Sequence, residues 1–148
     1  MLLEYQRKKT REYFAWEKLI QDEVDLTRAE LRARRHCRTR VGYDDPTGDF
    51  VARKNSRLKR VWIKVNGLRI KIDRPEDWLD VVRATYDLYS RQPIAWLVQE
   101  RIKTGKSVEV LSGFMGISKE TYHKWEREFM DDASFLAAKA GLMDEKNS

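Results

Sequence analysis

Between Leu111 and Trp125 the small and turn-forming residues stand at a spacing that few folds accept. Two short helices that cross steeply need a small side chain where they approach, and Ser112 supplies it. Gly116 then allows the positive φ of a sharp turn without a Cβ clash. Ile117 fits the gap between the helices, and Ser118 can cap the second one. Tyr122 and Trp125, three apart, give that second helix an inward face. Lys119, Glu120, Thr121, His123, Lys124 and Arg127 are left pointing outward. The pattern predicts a helix-turn-helix over residues 107–130, opened by Ser107 as a cap and preceded by Lys106. Its polar and basic outer face, beginning at Ser118, can meet base edges in a DNA groove. An ordinary helical hairpin joined by a glycine turn is the plainer reading of the same residues.

A second local rule acts upstream. Val61-Trp62-Ile63-Lys64-Val65 and Leu68-Arg69-Ile70-Lys71-Ile72 flank Asn66-Gly67, a pair that accepts the positive φ of a type I′ turn. Closing there pairs Val65 with Leu68, Ile63 with Ile70 and Val61 with Ile72 on one apolar face. Trp62, Lys64, Arg69 and Lys71 fall on the other. That second face is either a plain solvent face or a ribbon whose Lys64, Arg69 and Lys71 touch DNA phosphates, like a wing.

The rest reads as helix and loop. Residues 1–40 lack Gly and Pro, and Tyr13, Ile20, Val24, Thr27 and Leu31 recur at helical spacing with Trp16 beside them. This predicts one N-terminal amphipathic helix, able to pack on its own domain or on a second copy as a homodimer. Residues 41–60 form a loop and basic linker around Gly42, Pro46 and Gly48. Asp73-Arg74-Pro75-Glu76 has the form of a capping box with proline in the first turn. It opens a helical region over 73–142, in which one helix carries Trp78, Leu79, Val82, Tyr86 and Tyr89. The next carries Ile94, Trp96, Leu97 and Ile102 and ends at Gly105. The last runs from Ser118 to Gly141, leaving 143–148 as a frayed tail. The expected fold is mostly α with one β-hairpin.

Charge narrows the partner class. Between Arg28 and Lys71 there are fourteen Lys and Arg against four Asp and Glu, a net +10, whereas the whole chain carries +6. Each phosphate neutralised by such a window releases counterions and adds affinity for nucleic acid. No apolar run approaches the roughly 20 residues that span a bilayer, and Met1-Leu2-Leu3 runs at once into charged residues, unlike a signal peptide. A single cysteine, Cys37, cannot close an internal disulfide and suits a reducing cytoplasm. Charge alone names only a polyanion; with the helix-turn-helix pattern, double-stranded DNA is the expected partner, with no membrane.

Catalytic patterns are missing. There is no Gly-rich phosphate loop, no Ser/His/Asp set and no cluster with zinc-ligand spacing. His36 and Cys37 are neighbours on an expected helix, so their side chains diverge. Asp44 and Asp45 have turn chemistry to explain them and no third ligand nearby. The expectation is a binding protein, not an enzyme, with no cofactor and no metal.

Three features together give the chain a family likeness. Its N-terminal helix opens with Tyr5, Lys8, Lys9 and Tyr13 and leads to an Asp45-Pro46-Thr47 turn. A helix with the late aromatic pair Tyr86 and Tyr89 precedes the C-terminal reader. That reader has the form Ile-Ser-x-x-Thr-x-x-x-Trp at Ile117, Ser118, Thr121 and Trp125. In these the chain resembles the late-gene transcriptional regulators of the ArpU and RinA type from phages of Gram-positive bacteria. The C-terminal part is shared with sigma-factor-like readers generally, and the hairpin at 61–72 departs from the family pattern. The resemblance implies an activator of phage late genes that binds near a promoter in the bacterial host cell and assists host RNA polymerase. A phage small terminase subunit is the alternative. Such proteins commonly place the helix-turn-helix ahead of their oligomerising helices, the reverse of the order here.

Overall fold

Most element boundaries follow from turn and cap residues. The computed structural model describes residues 4–41 and 57–143, the side chains of 35–41 excepted. Among the described residues the elements are α1 (Glu4–Ala15), α2 (Glu17–Val41), β1 (Arg60–Val65), β2 (Leu68–Asp73), α3 (Pro75–Leu88), α4 (Pro93–Thr104), α5 (Val108–Met115) and α6 (Lys119–Lys139). The fold is mostly α with one antiparallel hairpin, as the sequence patterns require. None of the described helices is long and apolar enough to cross a membrane. The linker over 42–56, including Asp44, Asp45 and the Asp45-Pro46-Thr47 turn, lies outside the described residues, as do 144–148 and the side chains of His36 and Cys37.

The chain divides into two units. The first joins the residues up to Glu17 with those from Asp80 onward, and the second is Lys18–Leu79. In the first unit, Phe14, Val82, Leu97, Leu111, Tyr122 and Phe129 are among the buried core residues. Phe129 is its hub, with ring centres of Phe14, Tyr86 and Tyr89 at 5.4, 5.6 and 5.1 Å in tilted or edge-on contact. Such aromatic geometries add about 0.5–1.5 kcal/mol beyond the area they bury.

The single helix expected over 1–40 is two helices, separated at Trp16. The inward stripe of α1 also differs from the periodic reading. Gln6, Thr10 and Phe14 are buried, while Tyr13 is half-buried and sits edge-on to Trp16. Two of the three buried residues are polar, so hydrophobic periodicity does not register them. A polar partner on α6 accounts for the burial of Thr10. Thr10 and Ser134 share a hydrogen bond of 2.8 Å, and Arg7 Nε donates to Asp131 at 2.5 Å. Arg11 Nε and Arg101 donate to the two oxygens of buried Glu126 at 3.1 and 3.2 Å. The buried face of α1 is therefore used within its own chain.

In the second unit the hairpin has the expected register: Val65 faces Leu68, Ile63 faces Ile70 and Val61 faces Ile72. Asn66 and Gly67 take φ of 52° and 82° at the turn. Val61, Ile63 and Ile72 are buried, as are Ile20, Val24, Trp78 and Leu79. Towards the turn the apolar face leaves the core, and Leu68 is exposed. The capping-box reading requires Asp73 as the cap, and here the structure differs. Asp73 ends β2 and pairs with Arg60 and Lys71. Arg74 stands in the cap position with φ 52°, its N–H donating to the Lys59 carbonyl at 2.8 Å. Glu76, free of any capping duty, takes an ion pair with Arg28 at 2.5 Å. Pro75 does occupy the first helical position, where its missing N–H costs nothing.

Candidate nucleic-acid interface

The helix-turn-helix is built from two caps and one left-handed glycine. Ser107 accepts from the Val110 N–H at 3.2 Å and starts α5. Gly105, at φ 74°, ends the helix before it. Gly116 takes φ 71°, and its N–H and that of Ile117 return to the carbonyls of Gly113 and Ser112 at 3.2 and 3.0 Å. A Cβ at Gly116 would meet nothing within 4 Å, so backbone conformation, not space, calls for glycine there. Ser112 is buried, and its hydroxyl donates to the Val108 carbonyl at 2.7 Å. Ile117 is half-buried against the core. Ser118 caps α6, accepting from the Thr121 N–H at 3.1 Å.

The inner side of α6 holds Tyr122, Glu126, Phe129, Met130 and Ala133, a stripe of helical period. Trp125 lies at its edge, half-buried and packed against the core, whereas Tyr122 is fully buried. The Tyr122 hydroxyl is the one buried side-chain polar atom among the described residues without a hydrogen-bond partner. Burial raises its pKa above the ordinary phenol value. Burial likewise raises Tyr89, whose hydroxyl also donates a short hydrogen bond to Asp132. Both rings stay neutral and serve packing.

The outer side carries the expected residues. Ser118, Lys119, Glu120, His123, Lys124 and Arg127 are exposed, as is Lys106 ahead of α5. Two of the expected readers have internal duties. Thr121 is half-buried, and its hydroxyl accepts from Ser118 at 2.9 Å, which ties it into the cap. Lys119 is ion-paired with Glu109 of α5 and holds that carboxyl below its usual range. Among the described residues no salt bridge involves Lys106, Lys124 or Arg127. Lys124 and Arg127, three apart, therefore form the open cationic centre of this face.

The second unit carries a separate basic face. Lys64, Arg69 and Lys71 are exposed on the hairpin's solvent side with Trp62. The Arg69 guanidinium sits 4.6 Å from the centre of the Trp62 ring. Part of the basic window is internally neutralised. Arg28 meets Glu76, Arg57 lies 3.6 Å from Asp77, and Lys71 lies 3.9 Å from Asp73. Arg35, Arg38, Arg40, Arg53 and Lys54 lie outside the described side chains.

Sequence patterning passes over two features. One is the Arg11–Glu126–Arg101 clamp, which locks α6 to α1 and α4. The other is an exposed aromatic pair, Trp96 of α4 stacked on Phe114 of α5 at 5.7 Å. Phe114 lies one turn after buried Leu111, so spacing alone would have placed it inward, and its exposure is not readable from the sequence. Among the described residues no three of His, Cys, Asp and Glu converge as metal ligands. No protein-family model, curated protein or solved structure matches the chain.

Proposed function

We propose that this chain is a sequence-specific duplex-DNA-binding protein that regulates transcription, with α6 as its recognition helix. It acts by binding and not by catalysis. One observation carries the reading: a capped helix, a left-handed glycine and a second capped helix, with that second helix buried on one side and exposed, polar and cationic on the other. Helices so mounted present their first turns to base edges in the major groove. Lys124 and Arg127 are the readers best placed for it, and Glu120 and His123 share their side. The hairpin's Lys64, Arg69 and Lys71 suit phosphates, since a ribbon face meets backbone and reads no sequence.

The resemblance to ArpU- and RinA-type regulators extends the proposal to an activator of phage late genes, assisting host RNA polymerase in the bacterial cytoplasm. The test is a chromatin pull-down of the tagged protein from its host, with sequencing of the recovered DNA. One shared sequence upstream of a late operon is the expected result. Recovery spread evenly over the genome would remove the proposal.

A further inference from the structure

The second unit contains an open groove of about 560 Å³ between α2 and the hairpin. It shares Lys64 and Arg69 with the ribbon face proposed for duplex phosphates, whereas its Trp62, Asp22 and Glu23 have no part in that reading. Its lining is chemically sorted. Trp62 offers an indole that is 43% exposed. Arg60, Lys64 and Arg69 line the strand side, with Arg69 held over one face of the indole. Asp22 and Glu23 line the helix side. An aromatic surface, a cationic rim and a pair of carboxylates on the opposite wall match the base plane, the phosphate and the amino edge of a nucleotide.

We propose that this groove takes an unpaired nucleotide of a single-stranded nucleic acid. The base stacks on Trp62, the phosphates lie along Lys64 and Arg69, and the exocyclic amino group of the base donates to Asp22 or Glu23. Bases inside a duplex are already stacked on one another, so a lone indole serves only an unpaired base. An acidic peptide also suits the cations, but its carboxylates would meet Asp22 and Glu23. Carboxylates accept from the amino group of cytosine. Thymine lacks one, so the groove favours the amino-bearing bases cytosine, adenine and guanine over thymine. The inference stands apart from the helix-turn-helix, which lies in the other unit.

Fluorescence anisotropy of labelled oligo-dC and oligo-dT, titrated with the full-length chain, tests it. Oligo-dC should bind more tightly than oligo-dT. Trp62→Leu, which keeps apolar bulk but removes the aromatic face, should weaken oligo-dC about tenfold, and Trp62→Phe should restore most of it. Asp22→Asn with Glu23→Gln should bring oligo-dT level with oligo-dC. Equal binding by the parent and Trp62→Leu overturns the proposal, as does competition by poly-glutamate at equal charge. A protein that binds duplex but not oligo-dC loses this inference alone and leaves the duplex reading intact.

Discussion

The two exposed cationic faces, one in each unit, rest on opposite kinds of support. The hairpin face depends on a two-residue turn and a register fixed within fourteen residues of chain. The outer face of α6 depends on contacts from the far end of the sequence, where α1 supplies Arg7, Thr10, Arg11 and Phe14 to its inner side. Local support tolerates remote lesions. Long-range support does not, and a substitution more than a hundred residues away can unseat α6 although no residue of α6 itself is altered.

The sharpest way to break this comparison is Phe14→Ala. Phe14 is buried against Phe129, so truncation should cost about 3–5 kcal/mol. Thermal melting should show a large drop, and duplex binding should vanish although α6 is unaltered. If Phe14→Ala melts near the parent and binds DNA normally, α1 does not hold α6. Trp125→Ala should cost less, about 2 kcal/mol, because Trp125 is only half-buried at the edge of the core. Trp125→Phe should restore most of that stability in the same melting assay.

These variants also mark where the sequence was legible. The hairpin register, the Ser107 and Ser118 caps and the Gly116 turn were all readable, because each follows from residues within a few positions of one another. The seam of Gln6, Thr10 and Phe14 was not. Thr10 in it is buried against Ser134 at the far end of the chain, and periodicity does not see such a partner. Thr121 was expected at a base edge, and its hydroxyl also joins the Ser118 cap, a bond within one helical turn. Lys119, also expected on the DNA-facing side, is ion-paired there with Glu109.

A smaller effect is expected at the turn. Gly116→Ala should cost about 1 kcal/mol, since alanine pays for the left-handed backbone without any clash. Denaturant titration checks it, and an unchanged midpoint would show that the turn relaxes. The smallest change should come from Lys64→Ala on the hairpin. It should weaken all duplex sequences alike and make the slope of log affinity against log salt shallower by roughly one. A loss confined to one sequence would instead make the ribbon a base reader.

The central claim is that α6 reads sequence, and one measurement addresses it directly. The affinity for the recovered target duplex is divided by that for a scrambled duplex at matched salt, for the parent and for Lys124→Ala. The account predicts a parent ratio of about a thousand or more. Lys124→Ala should lower that ratio about tenfold or more, with melting unchanged, as expected of an exposed side chain proposed to meet base edges. If the ratio is the same in both proteins, Lys124 does not read sequence and the recognition-helix assignment is contradicted.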